Sequence, residues 1–393
     1  MEKRYFICVD AAGNNNKFYN MIPIDNYTWR AEWGRYGSSP QTKVYPMRDW
    51  DKKANEKYRK GYQDVTDLHR AQVETPSVSN AEIKDGKVAS LVKRLRLWGE
   101  RRVAETYLAK IGEVTQAMVD KAQMILSHMQ TIRDSVDAFN YWMEELATTI
   151  PRRMGKVEDF MAKTTADFSR ILSREQEILD NMAAQVKART AMHPTAKDAE
   201  ESKTILEALG ITATAVEDVG ELKKLKQMLG KQHANNLLEA YRVTNAKTEA
   251  AYQRWKTANG AEEHLRFHGS KRENFWSIWT LGLLISKAVY GMFGKGIYFA
   301  DQADKSLGYA NGGRWDRGDR TEERILGIFK VAYKNPLHLD SAKTCLDARI
   351  MKYDYDGKYD AVFAHEGSSL RRNEFIVYDE RQVTIAYILV MKG

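Results

Sequence analysis

The spacing of apolar residues changes twice along this chain, and the order of these changes limits the folds it can adopt. Residues 1 to about 75 alternate as strands do, 83 to about 189 repeat at helical spacing, and short β-branched runs return after about residue 193. The stretch 76–82, "PSVSNAE", has neither period and is typical of a linker. Because 393 residues are too many for one hydrophobic core, we predict an α+β chain of three domains, at 1–75, 83–192 and 193–393.

The first segment has the pattern of a small antiparallel β-sheet followed by a helix. Three alternating runs, "KRYFICVD", "KFYNMIPID" and "YTWRAEWGRYGSS", are separated by turn-forming residues. One face of the third run collects Tyr27, Trp29, Ala31 and Trp33. The helix after it repeats at Trp50, Ala54, Lys57 and Tyr58. Cations crowd this end of the segment at Lys43, Arg48, Lys52, Lys53, Lys57, Arg59 and Lys60, which by pattern alone is typical of a solvated helix face.

The middle segment is predicted to be all-α. Thr115 can cap a helix whose apolar stripe is Met118, Ala122, Ile125 and Met129. A second, longer helix is predicted from the stripe Val157, Phe160, Thr164, Phe168, Ile171, Ile178 and Met182. Stripes of this kind form hydrophobic cores far more often than cofactor sites.

The last segment has a mixed pattern. We predict helices as far as "NNLLEAYRV" and strands after it, in the runs "LRFHGS", "GIYFAD", "ILGIFKVAY", "YDAVFA", "NEFIVYD" and "VTIAYILVM". The sequence has no internal repeat and no low-complexity tract.

Charge and cysteine content narrow the functional classes. A formal charge of +8 and a pI of about 9.1 favour polyanionic partners such as nucleic acid, although the surplus is modest for the chain length. The two cysteines, Cys8 and Cys345, provide neither a disulfide framework nor metal-ligand spacing, so no structural zinc is expected. Without an apolar run of membrane-spanning length, we expect a protein that works inside a cell and not in a membrane.

The glycine-rich stretch "GMFGKGIYFAD" does not fit the common nucleotide-binding loops. A Walker loop needs Gly-Lys followed by Ser or Thr, whereas Gly296 follows Lys295 here. The glycines of a Rossmann fingerprint follow a strand, whereas these precede one. Taken singly, His268, Tyr298, Ser306 and Glu374 each have an ordinary structural explanation.

Their combination carries a resemblance. "FHGS", "GKGIYFAD", "KSLGY" and "NEFIVYD", in this order, closely resemble the catalytic core of the poly(ADP-ribose) polymerase family, diphtheria-toxin-type ADP-ribosyltransferases of mixed α/β fold with a His-Tyr-Glu triad. The triad corresponds to His268, Tyr298 and Glu374. The resemblance implies that NAD is the ADP-ribose donor and that no metal takes part.

The same resemblance implies a role for each pocket residue. Tyr298 and Tyr309 flank the nicotinamide ring, and the Gly269 backbone and Ser306 hydroxyl bind its carboxamide. His268 holds the adenosine ribose, Glu374 bonds the nicotinamide ribose and helps activate the acceptor, and Lys305 lies near the acceptor. The NAD-binding set is His268, Gly269, Ser270, Asn274, Tyr298, Lys305, Ser306 and Tyr309.

The resemblance extends to the other two segments. The helical pattern around Ile150 and Pro151 is similar to the α-helical regulatory domain of DNA-dependent members, and "YTWRAEWGRYGSSPQTKVYP" is similar to the WGR domain. In that family the WGR module recognises DNA ends or breaks, which implies DNA contacts by Trp33, Arg35 and Lys43. Domain order suggests that the helical domain blocks NAD until DNA binding loosens it.

Departures from the family pattern leave alternatives open. Leu284 stands where many relatives have arginine, the loop "SKAVYG" looks short, and the segment 343–372 looks compact. The predicted function is therefore DNA-break-activated transfer of ADP-ribose to proteins, including the enzyme itself, with chain extension. One alternative is a mono-ADP-ribosyltransferase acting on nucleic-acid ends or one protein side chain, and another is an inactive DNA-binding scaffold. The location expected is the nucleus in a eukaryote or the cytoplasm near the nucleoid in a bacterium or its virus.

Overall fold

The structure is a computed structural model that describes residues 1–69, 81–106, 114–152, 154–192, 203–285, 291–310, 323–367 and 370–393. The chain divides into two compact units. The first unit comprises Met1–Pro76 and Glu100–Lys187, and the second comprises Ser77–Gly99 and Ala188–Gly393. No helix among the described residues is long and apolar enough to cross a membrane. Most of the predicted linker and of the loop "SKAVYG" lies outside the described residues.

The first unit contains the predicted antiparallel sheet, and its strands are β1 (Arg4–Asp10), β2 (Asn15–Pro23), β3 (Thr28–Arg35), β4 (Gln41–Pro46) and β5 (Gln63–Asp64). They lie in the order β4-β3-β2-β1-β5. Helix α1 (Trp50–Arg59) and the short helix α2 (Thr66–His69) follow β4 and β5. The core of this part consists of Phe6, Tyr19, Met21, Trp29, Ala31, Trp50 and Ala54.

One predicted member of the buried face is wrong. Tyr27 is 81% exposed, whereas Trp29 and Ala31 are fully buried as predicted. The reason is that β3 begins at Thr28: the Tyr27 backbone N–H donates to the Asp25 carboxylate in a turn, so strand alternation has not yet started. Trp33 is partly buried and packs against the same core.

The helices that follow are α3 (Gly86–Thr106), α4 (Gln116–Met129), α5 (Val136–Thr149) and α6 (Asp167–Ala191). The predicted cap of α4 is confirmed, because the Thr115 side chain accepts a hydrogen bond from the Met118 backbone N–H. The predicted start of the next long helix is wrong. Val157–Phe160 forms a separate 3₁₀ turn, and α6 begins only at Asp167, whose carboxylate accepts from the N–H groups of residues 163 and 164.

The second unit contains two sheets, built from β6 (Ile211–Ala215), β7 (Leu237–Asn245), β8 (Glu262–Gly269), β9 (Ile297–Phe299), β10 (Glu323–Tyr333), β11 (Pro336–Leu339), β12 (Ala361–Ala364), β13 (Glu374–Val377) and β14 (Val383–Lys392). The larger sheet has the order β6-β7-β14-β10-β8, and the smaller has the order β11-β12-β13-β9. The helices of this region are α7 (Ile205–Leu209), α8 (Val219–His233), α9 (Ala246–Asn259), α10 (Phe275–Leu281), α11 (Ala303–Leu307) and α12 (Ala348–Tyr353).

The predicted helix through "NNLLEAYRV" is wrong, because Leu237–Asn245 is strand β7. It pairs with β14 on one side and β6 on the other. Leu, Glu and Ala favour helices, but pairing in the middle of a sheet outweighs that weak local preference. The sequence pattern also did not predict α9, which Asn245 caps by accepting hydrogen bonds from the backbone N–H groups of Lys247 and Thr248.

The two sheets meet where β8 approaches the end of β9. Phe267 and Ala300 exchange backbone hydrogen bonds of 2.8 and 2.9 Å. This bridge brings the C-terminal end of β8 beside the residues that follow β9. In turn, β9 pairs antiparallel with β13, so three predicted site residues, His268, Tyr298 and Glu374, come from adjacent strands.

Candidate active site

A cavity of about 390 Å³ opens at this junction of the two sheets. Its lining consists of His268, Gly269, Gly291, Met292, Tyr298, Phe299, Ala300, Lys305, Ser306, Tyr309 and Glu374. The structure thus brings together seven of the residues predicted from the sequence. A cavity of this size and mixed lining is typical of a small-molecule site.

His268 is held in one tautomer by the strand beside it. Its Nδ1 lies 2.9 Å from the carbonyl oxygen of Tyr298, and because a carbonyl only accepts, Nδ1 carries the proton. The second ring nitrogen, Nε2, is then left as an acceptor. Burial lowers the pKa of His268 below its usual 6.5, so the ring is neutral at neutral pH. A neutral acceptor of this kind suits a sugar hydroxyl.

The Tyr298 side chain is fixed through its hydroxyl. That oxygen accepts from the Phe293 backbone N–H at 3.0 Å and donates to the Gly294 carbonyl at 2.7 Å. Burial raises the pKa of Tyr298 to about 12, so the phenol stays neutral. A Cβ on Gly291 would lie 2.6 Å from the hydroxyl, which explains a glycine at that position. The ring is therefore rigid, as an aromatic surface for stacking should be.

Gly269 and Ser306 form the closest backbone approach in the site. A Cβ added to Gly269 would lie 1.7 Å from the Ser306 carbonyl oxygen, so only glycine fits there. Ser306 is buried on helix α11, while Tyr309, three residues later, is 57% exposed. Both line the cavity, as their spacing predicted.

Glu374 is the first residue of β13 and is only 7% exposed. Its Oε1 lies 2.7 Å from the Lys305 ammonium nitrogen. The same ammonium donates to the Arg372 carbonyl at 3.0 Å. A lysine that bonds both groups holds the carboxylate in one place at the wall of the cavity.

Two predicted NAD-binding residues lie outside the cavity lining. The Asn274 side-chain amide donates to the Ser270 hydroxyl at 2.9 Å, in the turn between β8 and α10. Their roles stay predictions. Conversely, Gly291, Met292, Phe299 and Ala300 line the cavity and were missed. For Phe299 and Ala300 a signal existed, because they continue the strand that carries Tyr298.

The residues predicted to touch DNA lie on the sheet of the first unit. Trp33 packs against Tyr19, and the Lys43 ammonium lies 5.2 Å from the centre of the Tyr45 ring. The Arg35 guanidinium donates to carbonyl groups of residues 14, 154 and 155, so it already links the sheet to the segment before α6. Contact of these three side chains with DNA stays a prediction.

Comparison with known proteins agrees with the resemblance. Residues 219–318 match the family model of the poly(ADP-ribose) polymerase catalytic domain, and residues 2–68 match that of the WGR domain. The chain carries both domains. Two segments of the chain are thus similar to domains of poly(ADP-ribose) polymerases. The matched catalytic range includes His268, Tyr298 and Ser306 and ends before Glu374.

Individual relatives cover different parts of the chain. Uncharacterized protein 101L of Invertebrate iridescent virus 6 is 28% identical over 182 residues, which are 46% of this chain and 76% of the viral protein. Poly [ADP-ribose] polymerase 1 of Xenopus laevis is 30% identical over 52% of this chain but only 21% of its own length. Poly [ADP-ribose] polymerase 2 of Arabidopsis thaliana is 22% identical over 96% of this chain and 71% of its own length.

The close approach of Gly269 to Ser306 in the second unit gives a first prediction. Gly269→Ala should push α11 away from β8, because the new methyl group would overlap the Ser306 carbonyl. We expect a stability loss of about 1–3 kcal/mol and a raised KM for NAD. Urea unfolding and NAD titration measure the two effects. Gly86→Ala is the matched control in the same unit, because a Cβ there meets nothing within 4 Å.

The protonation state of His268 gives a second prediction, on pH. Its pKa is lowered by burial, so the KM for NAD should stay constant from pH 8 to about 6.5 and rise only below that, when Nε2 gains a proton and stops accepting. Stability should fall in the same acid range, because the unfolded chain takes up this proton first. His268→Ala should have a high KM without this rise; an equal rise in that variant would contradict the assignment.

Proposed function

We propose that the protein cleaves NAD and transfers its ADP-ribose to protein acceptors, including itself, and to a growing poly(ADP-ribose) chain when DNA is broken. The observation that supports this best is the cavity, which combines a neutral histidine, two tyrosines, a buried serine hydroxyl and the Glu374 carboxylate paired with Lys305. The cavity binds no phosphate through a Walker or Rossmann loop in this proposal, because the glycine-rich stretch fits neither. The residues present suit the parts of NAD.

The donor end of the site would hold nicotinamide and the adenosine ribose. Tyr298 and Tyr309 offer ring faces for the flat nicotinamide, and Gly269 and Ser306 offer hydrogen-bonding groups for its carboxamide. The free acceptor nitrogen of His268 would take a ribose hydroxyl. Binding of both the nicotinamide and the adenosine ribose would fix the orientation of the bond that joins nicotinamide to its own ribose.

Glu374 would supply the electrostatic part of catalysis. When nicotinamide leaves as a neutral molecule, positive charge develops on the ribose, and a fixed carboxylate stabilises that charge more than it stabilises the ground state. The same carboxylate can accept the proton of an incoming acceptor hydroxyl. Lys305 keeps it aligned until then.

The first unit would supply the response to DNA. A WGR domain suggests nucleic-acid binding, and the chain carries a net charge of +8. Trp33 could stack on a terminal base or sugar, and Lys43 could pair with phosphate. We propose action in the DNA damage response, at DNA in the nucleus or near a bacterial or viral genome. In this proposal the helical region restrains transfer until DNA binds.

Removing residues 83–190 would test the restraint only poorly. Within the second unit, the Arg94 guanidinium on α3 lies 3.0 Å from both carboxylate oxygens of Glu323, and Lys87 pairs with Glu217 at 2.7 Å. The deletion would break these contacts along with the restraint. Substitutions confined to the helical part of the first unit are a sharper tool.

The test of the proposed function is incubation of the full chain with labelled NAD, with and without nicked DNA, followed by gel sizing of the products. We expect long products that increase when nicked DNA is added. Single additions of one size would favour the mono-ADP-ribosyltransferase. DNA binding without any NAD turnover would favour the inactive scaffold, and equal turnover with and without DNA would contradict activation by breaks.

A further inference from the structure

Asn373, directly before Glu374 in the chain, uses both ends of its side-chain amide. Its Nδ2 donates to Asp301 Oδ2 at 3.1 Å, and its Oδ1 accepts from the Glu366 backbone N–H at 2.9 Å. The first bond reaches the residues after β9, and the second reaches the residues after β12. One side chain therefore ties together the two strands that flank β13.

Asp301 lies where three strands of the site converge. It follows Ala300, which is bonded through its backbone to Phe267, the neighbour of His268. In the β9–β13 register Phe299 pairs with Phe375, so Asp301 comes opposite Asn373. Asp301 is thus linked to the strands that carry His268, Tyr298 and Glu374.

Neither Asp301 nor Asn373 lines the cavity. Asn373 precedes β13, and its side chain bonds Asp301 and the Glu366 backbone N–H. Any effect of this pair on the reaction must therefore pass through the backbone position of Glu374. The pair would then act by placing Glu374 and would not itself contact the substrate.

The start of β13 needs support of this kind. Glu374 is the first residue of the strand, so ladder pairing holds it from its C-terminal side, and the residues before it must be held by side chains. Arg372 is held by its ion pair with Asp304 at 3.1 Å and by the Lys305 bond to its carbonyl. The ion pair with Asp304 is partly exposed, with 41% of the Arg372 side chain and 32% of the Asp304 side chain accessible, and such pairs contribute little.

The Asp301 contact differs in that one oxygen of its carboxylate is buried. In the part of the chain that the structure describes, Asp301 Oδ1 is buried and has no hydrogen-bond partner. The carboxylate is therefore hydrogen-bonded through Oδ2, which accepts from Asn373. A hydrogen bond to an ionised group is stronger than a neutral one. A buried carboxylate oxygen without a hydrogen bond lowers the stability of the folded protein. Its presence here indicates that the position of Asp301 serves another purpose than stability.

We infer that Asp301 and Asn373 are positioning residues for Glu374: their hydrogen bond sets where the catalytic carboxylate stands relative to the bound donor. This inference rests on the proposed function. A displacement of about 1 Å at a reacting group can lower a rate by about 100-fold, so a pair outside the cavity can have a large effect on turnover.

The test exchanges the two groups. Asn373→Asp alone sets two carboxylates against each other and should lower kcat at least about 10-fold with KM for NAD unchanged, because the donor-binding residues stay in place. Adding Asp301→Asn restores one amide facing one carboxylate and should recover most of kcat. Asn373→Asp in a Glu374→Gln background should cause no further loss, because the residue it positions is already disabled.

Each outcome decides between the claims. Wild-type kcat in Asn373→Asp, failure of the exchanged pair to rescue, or an additive loss in the Glu374→Gln background overturns the inference alone. A wild-type chain that does not turn over NAD overturns the proposed function and this inference together. If Asn373→Asp does not fold, Asn373→Ala removes both hydrogen bonds without adding charge and should lower kcat in the same way.

Discussion

Glu374→Gln is expected to lower ADP-ribose transfer by about 100-fold or more, a loss typical of removing a catalytic carboxylate. The amide keeps the shape of the side chain but loses the charge that would stabilise the developing cation and accept the acceptor's proton. Lys305, now 2.7 Å from that carboxylate, would face a neutral group. NAD binding should persist, because the ring-stacking and amide-binding groups are unchanged. Single-turnover transfer and NAD titration separate the two effects.

The matched control is Glu366→Gln. Glu366 lies on the same connection between β12 and β13, but its side chain is 52% exposed and 3.6 Å from Arg372, so removing its charge should leave transfer near the wild-type rate. Transfer at the wild-type rate in Glu374→Gln would end the assignment of this residue. An equal loss in both variants would show a general effect of charge on the connection.

The site was largely predictable because its motifs are local. "GKGIYFAD" and "NEFIVYD" each place a functional side chain on a strand, and β9 pairs directly with β13. The position of Met292 in the cavity could not be predicted in this way, and neither could the bond between Asp301 and Asn373, which end and begin these two motifs. Their roles depend on which loops meet across the junction of the sheets, and a single sequence contains no record of such pairings.

The fold was predictable wherever one face of an element is buried. The burial of Trp29 and Ala31 was predicted from the alternation of apolar residues in a strand. The buried stripe of α4 was predicted from apolar residues at helical spacing. Leu237–Asn245 could not be predicted, since its leucines and alanine favour a helix and only its neighbours in the sheet make it a strand. The predicted domain bounds stay predictions. The two compact units do not coincide with the three predicted domains, because the division between the units falls within α3.

A second large effect is expected from the buried ion pair of the first unit. Glu175 on α6 is 1% exposed and lies 2.5 Å from the guanidinium of Arg152, which is fully buried. The Arg152 carbonyl also accepts from the buried side chain of Asn16 on β2 at 3.1 Å. Glu175→Ala leaves a guanidinium in the core without the carboxylate that faces it, so we expect a loss of about 3–5 kcal/mol in the free energy of unfolding.

The controls for Glu175 separate charge burial from packing. The double variant Arg152→Met with Glu175→Leu removes both charges and should recover most of the stability, as apolar replacement of buried ion pairs often does. Arg170→Ala breaks an exposed pair with Asp167 on the same helix and should barely move the urea midpoint. If Glu175→Ala unfolds at the wild-type urea concentration, the ion pair does not stabilise this unit.

The same variant tests the regulatory hypothesis without cutting the chain. If the helical region restrains transfer, loosening α6 in Glu175→Ala should raise NAD turnover in the absence of DNA, and the double variant that restores packing should return it to the basal rate. The contacts of Arg94 and Lys87 in the second unit remain intact in both variants. Basal turnover unchanged in a destabilised but folded Glu175→Ala chain would show that stability of the helices and restraint of the transferase are separate properties.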